Sequence, residues 1–284
     1  MSNNIFFERG QMADKPNNYL WNGDCLELMK DIPDKSMDAI ICDLPYGTTT
    51  CKWDSVIPFE PLWKQYKRII KDNGAIVLFG SQPFTSALIG SNYEWFKYEW
   101  IWKKNTGSNF LQANYQPIKR HENICIFSKA NASYSKNNFK MNYYPILDED
   151  GVVYSERKNQ SIDVGLKSWK NRMSDNYEFK RNKNKGTFPF TVLEYKNVIN
   201  KKLHPTQKPL ELIKYLVKTY TNENDWVLDN TCGSNTTGVA CYDLNRNYIG
   251  IEKDKDIYEV AKKRVEKNIL LRANKPKTLF DDRP

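Results

Sequence analysis

Histidine is nearly absent. Only His121 and His204 occur in 284 residues, which leaves a histidine-built metal centre or a metal-dependent hydrolase little to work with. No two of the six cysteines, Cys25, Cys42, Cys51, Cys125, Cys232 and Cys241, stand at the C-x-x-C spacing of a zinc knuckle or redox site. Most lie in apolar surroundings and read as buried free thiols of a reducing compartment, not as a disulfide framework. No apolar run approaches transmembrane length, and the opening MSNNIFFERGQMADKPNNY has neither the basic start nor the hydrophobic centre of a signal peptide. A cytoplasmic protein without a metal or a membrane span is expected. Acidic excess is missing too: 43 Lys and Arg against 34 Asp and Glu leave a net charge of +9, which favours an anionic partner, most commonly nucleic acid.

What is present is α/β patterning. From Tyr19 to about Phe127, short apolar runs alternate with amphipathic stretches, as a mostly parallel sheet with crossover helices requires. YLWNGD, MDAIICD, GAIVLFG, KYEWIWKK and NICIFSK read as strands. FEPLWKQYKRIIKD reads as a helix, with Leu62, Tyr66, Ile69 and Ile70 at helical spacing and its end before Asn73-Gly74. The half-sheet of a doubly wound fold is expected over this stretch. Between about Ala130 and Leu203 periodicity is lost, and Asn and Lys mix with Trp169, Tyr177, Phe179 and Phe188, so the segment reads as an inserted module. The boundaries so drawn are 1–129, 130–203 and 204–284. The third part opens with the amphipathic KPLELIKYLVKTYT, led by Pro209, and continues as strand, glycine-bearing turn, helix, strand, acid and helix.

In LDNTCGSNTTG the strand ends near Leu228, and Gly233 allows a tight turn whose amides and following helix start face a ligand. Thr236 and Thr237 are candidate caps of that helix. Glu252 closes the next strand nineteen residues after Gly233, close to the offset at which an acid grips ribose hydroxyls. Gly233, Asn235 and Gly238 also mimic the dinucleotide G-x-G-x-x-G, which keeps a nicotinamide enzyme in play.

The stretch DLPY, Asp43 to Tyr46, follows the apolar MDAIIC and is expected at the carboxyl edge of the sheet, where open α/β folds bind ligands. The exocyclic nitrogen of adenine or cytosine is a poor nucleophile because its lone pair is delocalised into the ring. A carboxylate and a main-chain carbonyl can each accept one of its hydrogens and localise that pair, and Pro45 keeps the acceptors in place. Aligned with a sulfonium methyl, such a nitrogen can attack in-line, with the site supplying position and polarisation. A base in a duplex must first be flipped out, at a cost of a few kcal/mol, and stacking on Tyr46 can return about 1–3 kcal/mol.

With these residues in hand, the sequence resembles the circularly permuted beta group of DNA amino-methyltransferases, especially phage-type site-specific adenine methylases. DLPYG resembles that family's catalytic tetrapeptide, LDNTCGSNTTG its S-adenosylmethionine loop, and HPTQKPLELIKYLV, from His204, the segment around the cofactor's methionine end. The resemblance covers most of the chain and keeps the beta-group order, catalytic motif first. It implies a Rossmann-like methyltransferase fold with an inserted recognition region, S-adenosylmethionine as cofactor and double-stranded DNA as partner. A homodimer and a companion restriction endonuclease are compatible with it. Carried over, Asp43 becomes the amino-group acceptor, Pro45 the spacer and Tyr46 the stacking ring. Asp43 also borders the cofactor, together with Asp229, Cys232, Gly233, Asn235, Thr236 and Thr237 of the loop and Glu252 on the ribose. Asp24 comes to the adenine, and Thr206 and Lys208 to the carboxylate. The Asp at the head favours adenine, because the family's cytosine enzymes more often begin with Ser; cytosine N4 is the alternative substrate. Leu44 replaces the first proline but keeps the main-chain carbonyl. Asn235 replaces a common glycine, and a side chain there stands to crowd the cofactor, so a catalytically impaired DNA-binding relative is the alternative of a different class.

Phosphate contacts give affinity and base-edge contacts give specificity. Within 130–203, Lys167, Lys170, Arg172, Lys180, Arg181, Lys183 and Lys185 crowd one stretch and are the candidate DNA-binding residues of a target-recognition region.

Overall fold

Two apolar runs from distant parts of the chain, MDAIIC and WVLD, pair side by side: Ala39 lies opposite Val227 and Ile40 opposite Leu228. Around them, among the described residues, an eight-stranded sheet is built from β1 (Asn18–Asn22), β2 (Met37–Cys42), β3 (Ile70–Gly80), β4 (Phe96–Ser108), β5 (Lys119–Phe127), β6 (Val192–Glu194), β7 (Trp226–Asp229) and β8 (Asn247–Glu252). Its order is β1-β8-β7-β2-β3-β5-β4-β6. All neighbours run parallel except β5, which is antiparallel to both β3 and β4. The structure, a computed structural model, describes residues 18–47, 54–133, 139–147, 188–198 and 207–273. The chain divides into two units, residues 1–144 with 191–284, and residues 145–190. Of the second, residues 145–147 and 188–190 are described, without helix or strand.

Every residue of β2 is buried, because helices cover both faces of the sheet. The alternation of strand side chains divides the core in two. Ile40 and Cys42 join Leu62, Tyr66 and Ile69 of α2 (Phe59–Ile69) and Phe84 and Leu88 of α3 (Phe84–Ser91) on one face. Ala39 and Ile41 join Leu212, Ile213 and Leu216 of α4 (Leu210–Tyr220) and Ala240 and Cys241 of α5 (Thr236–Asp243) on the other. The short α1 (Cys25–Leu28) follows β1, and α6 (Lys255–Ala273) follows β8. Among the described residues, Cys25, Cys42, Cys125, Cys232 and Cys241 are free and buried, and no helix is long and apolar enough to cross a membrane.

Three local expectations are corrected. The helix over FEPLWKQYKRIIKD stops at Ile69, and the chain passes directly into β3, with Ile70 paired to Met37. Asn73-Gly74 is therefore not a helix end. A Cβ on Gly74 would stand 2.8 Å from the Asp38 carbonyl, so glycine serves close backbone approach between strands there. The first strand does not join the half-sheet that follows it in sequence. It lies at the far edge beside β8, with Leu20 opposite Gly250. Finally, α5 is capped by neither Thr236 nor Thr237 but by Asn235, whose side chain accepts from the Gly238 amide at 3.1 Å.

Asn235 sits in the left-handed region at φ 61° and is fully buried. A Cβ on Gly238 would lie 2.3 Å from the Asn235 Oδ1, so the missing side chain at 238 is what makes room for the cap. Asn235→Ala should lose both the cap and an easy left-handed conformation and destabilise the protein by about 2 kcal/mol, whereas Asn235→Gly should cost under about 1 kcal/mol. Urea unfolding of the two variants checks the order.

Candidate active site

Because β1, β2, β7 and β8 run parallel, their carboxyl ends share one edge, and the loops that leave them border a cavity of about 860 Å³. That volume lies in the range of small-molecule sites. Its walls carry Asp24 and Cys25 after β1, Asp43 to Tyr46 after β2, Asp229 at the end of β7 and Asn230 to Ser234 after it, Thr236 and Thr237 at the start of α5, and Glu252 at the end of β8. Most of the residues singled out in the sequence are brought together here. Thr206, with His204, lies outside the described residues, as do Lys167, Lys170, Arg172, Lys180, Arg181, Lys183 and Lys185.

The DLPY loop and the glycine turn are tied directly. The Thr231 hydroxyl donates to the Asp43 main-chain carbonyl at 3.1 Å. Beneath the two loops, Asn230 is clamped by Tyr66, whose hydroxyl donates to its Oδ1 at 2.5 Å, and by the Cys42 thiol at 2.8 Å. Gly233, at φ 53°, donates its amide to Glu252 Oε2 at 2.9 Å, and nothing lies within 4 Å of where its Cβ would be. The acid and the turn that the spacing pairs thus meet, and the backbone at Gly233 is open to close approach. Asp24 caps α1 through the Leu26 amide at 2.9 Å and receives Lys253 at 3.0 Å. Asn235 is absent from the cavity wall; its side chain turns inward to Gly238 and leaves the space in front of the turn clear. Carboxylates able to accept hydroxyls, a glycine with open space where a side chain would stand and the apolar Leu26, Ile57 and Ile257 make a cavity whose lining fits a nucleoside-bearing cofactor.

Asp43 is held on both sides. Tyr46 donates its hydroxyl to Oδ1 at 2.7 Å, and the Lys208 ammonium lies 2.5 Å from Oδ2. Lys208 is buried and also lies 3.2 Å from Glu122, which is paired in turn with Lys104. Burial raises the Asp43 pKa, with Lys208 opposing and Glu122 adding to the rise, so its carboxylate is a better proton acceptor than an ordinary aspartate. Burial opposes the charge on Lys208, but Asp43 and Glu122 outweigh it and keep the ammonium above the usual lysine value. Burial likewise opposes the charge on Glu122, and Lys208 and Lys104 overcome it. The Tyr46 ring packs against Phe84, with centroids 5.0 Å apart and planes 30° from parallel. Lys208 therefore reaches the Asp43 end of the cavity, a position that the resemblance, which carries it to a cofactor carboxylate, does not imply.

Glu122, Lys104, Thr231, Asn230 and Tyr66 are the site residues that sequence reasoning missed. Glu122 follows His121, which is exposed, and stands near the start of a strand. In an all-parallel sheet that start points away from the ligand edge; because β5 is reversed, it arrives at the same edge as the end of β2. The signal available was a charged residue two positions before the apolar run that starts at Ile124.

The mostly parallel sheet with one reversed strand, and a cavity spanning the carboxyl ends of its centre, define the Rossmann-like methyltransferase class. The family model described as DNA methylase, for enzymes of the N6 and N4 types, matches residues 37–263. The chain is 30% identical over 276 residues to the type II methyltransferase M.HinfI of Haemophilus influenzae, covering 87% of this chain and 68% of that protein. It is similar to the crystal structure of the M1.HpyAVI–SAM complex, with 25% identity, a TM-score of 0.52, and 86% and 98% of the two chains covered. PvuII DNA methyltransferase, cytosine-N4-specific, shares the fold, with a TM-score of 0.61 at 15% identity over 93% and 95% of the chains. The chain belongs to the DNA methylase family.

Burial pushes the Asp229 carboxyl up to about 7, against the Thr237 hydroxyl and the Thr231 amide, which favour its charged form. A carboxyl raised in the folded state contributes stability that is present below its unfolded value near 3.8 and lost as pH rises through about 7. Asp229→Asn should therefore gain stability relative to the unsubstituted protein between pH 5 and pH 8. Urea midpoints at the two pH values check it; a constant difference contradicts the assignment.

Proposed function

We propose that the protein is a sequence-specific DNA methyltransferase that moves a methyl group from S-adenosylmethionine to the 6-amino group of an adenine flipped out of double-stranded DNA. The observation that best supports this reading is the Thr231 to Asp43 bond, which joins the loop of a nucleoside site to an amino-group acceptor across one cavity. S-adenosylmethionine, when bound, supplies an electrophilic methyl group. Asp24, Asp229, Cys232, Gly233, Thr236, Thr237 and Glu252 are the residues proposed to hold it.

The chain's own part is to prepare the base. Asp43 accepts one hydrogen of the amino group and the main-chain carbonyl of Leu44 the other, which turns the nitrogen lone pair out of the ring. Tyr46, backed on one face by Phe84, is the surface on which the base rests. The proton lost from the nitrogen passes to Asp43, whose raised pKa suits it to receive one. Lys208 keeps the Asp43 carboxylate oriented before the base arrives, and Glu122 holds Lys208. Adenine is preferred to cytosine on the strength of the aspartate at position 43. Residues 130–203 are proposed as the target-recognition region, and a cytoplasmic setting and a companion endonuclease belong to the same reading.

Asp43→Ala should lower methyl transfer by at least about a thousandfold while cofactor and DNA affinity stay within a few-fold of the unsubstituted chain. Mass spectrometry of the nucleosides should show N6-methyladenine; N4-methylcytosine overturns the adenine assignment, and full turnover by Asp43→Ala overturns the mechanism. For the recognition region, neutralising Lys180, Arg181 and Lys183 together should flatten the dependence of log K on log salt by up to about 3 in slope, and an unchanged slope returns them to solvated surface.

A further inference from the structure

The stem formed by β4 and β5 contributes Trp102, Lys104 and Glu122 to the cavity wall, and the hairpin then runs on beyond it. From Lys104 the strand continues for four residues, to Ser108, or about 13 Å at a strand rise of about 3.3 Å per residue. Residues 105–118 hold no charged side chain, although 27% of the whole chain is charged. They hold five amides instead, Asn105, Asn109, Gln112, Asn114 and Gln116.

This tip is built. Asn109, at φ 60°, turns the chain and accepts the Lys119 amide on Oδ1 at 2.8 Å. The amide of Gln112 bonds to the Asn109 carbonyl at 3.0 Å, that of Ala113 to Phe110 at 3.1 Å and that of Tyr115 to Gln112 at 2.9 Å. Asn197 braces the stem by donating its amide to Asn105 Oδ1 at 2.7 Å and its side chain to the Thr106 hydroxyl at 2.9 Å. On this ordered turn Leu111 is 98% exposed, Tyr115 90% and Phe110 63%. Adjacent large apolar side chains held in water on a hydrogen-bonded turn mark a contact surface.

We propose that this tip is the wedge of the enzyme: Leu111 and Tyr115, supported by Phe110, enter the duplex beside the target and pack on the bases that flank the extruded one. The inference rests on the DNA-methylation reading. The partner follows from the chemistry and the place. Phosphate contact calls for cations, which residues 105–118 lack. Asn105 and Asn109 hold the stem and the turn, while the amides of Gln112, Asn114 and Gln116 suit base edges, and apolar wedges suit the faces exposed when a base step is unstacked. The hairpin begins at the wall of the cavity that is to receive the base, so a duplex presenting a base to Asp43 has its neighbouring base pairs within reach of the tip. The wedge fills the gap and slows the return of the base, which raises the fraction of complexes in which the amino group lies at Asp43.

The test compares the unsubstituted enzyme with a Phe110→Ser, Leu111→Ser, Tyr115→Ser variant on two duplexes that contain its modified site, one fully paired and one with an abasic position opposite the target. The site is first located by sequencing DNA from expressing cells with a modification-sensitive method. On the paired duplex the variant should lose at least about tenfold in kcat/KM, with cofactor affinity unchanged as the sign of an intact fold. On the abasic duplex, where extrusion is already easy, it should recover to within about threefold of the unsubstituted enzyme. A Tyr115→Trp, Leu111→Met variant should stay active on both. Equal loss on the two duplexes overturns the wedge. So does an undiminished rate on the paired duplex, including the case in which only self-association, read by sedimentation, is lost. An unsubstituted chain that binds S-adenosylmethionine but methylates neither duplex overturns the DNA-methylation reading itself, and the wedge with it.

Discussion

The pairing of β2 with β7 is the constraint on which the site depends. Two strands separated by most of the chain lie side by side and parallel, so the carboxylate after one and the glycine turn after the other leave the same edge of the sheet. Parallel strands cannot close by a hairpin; the intervening chain must cross over, and helices then cover both faces. The burial of every residue of β2 follows from this, and so does the placement of polar chemistry at strand ends, where backbone groups are no longer used by the ladder. The Thr231 to Asp43 bond and the clamp of Tyr66 and Cys42 on Asn230 are local consequences of that neighbourhood.

Placing Asp43 among buried groups carries a desolvation penalty, and the structure answers it with a chain of alternating charge: Asp43, Lys208, Glu122 and Lys104. Burial works against the charged forms of Asp43, Lys208 and Glu122, and their oppositely charged neighbours work for them, which is why removing one partner of such a pair disturbs the rest. The chain connects three separate parts of the sequence and fixes the Asp43 carboxylate before any base is present. Preorganisation of this kind suits a reaction in which the protein's contribution is position and polarisation and no covalent enzyme intermediate forms.

Much of this was legible in advance. MDAIIC, GAIVLFG and NICIFSK are strands where their apolar runs lie, α4 follows Pro209, and Gly233 and Glu252 meet as their separation requires. These features were readable because they are local: periodicity, a glycine, an acid at a set offset. The end of α2 was misread because Asn73-Gly74 has the composition of a helix stop, while the pairing of Ile70 with Met37 draws the chain into a strand three residues before Asn73. Asn235 looked like an obstruction by comparison with glycine. Its side chain instead turns into a gap left by Gly238, a complementarity between two positions that neither shows alone.

By itself the sequence determined the class of fold, the carboxyl-edge location of DLPY and the pairing of a glycine turn with its acid, because each depends on residues close together along the chain. Tertiary structure decided what depends on strand order and direction. The reversal of β5 carries Glu122 to the ligand edge, Lys208 settles on Asp43, and β1 crosses to pair with β8. Direction within a sheet is set by the whole set of strands competing for partners, and an apolar run of a given pattern reads alike whichever way it points.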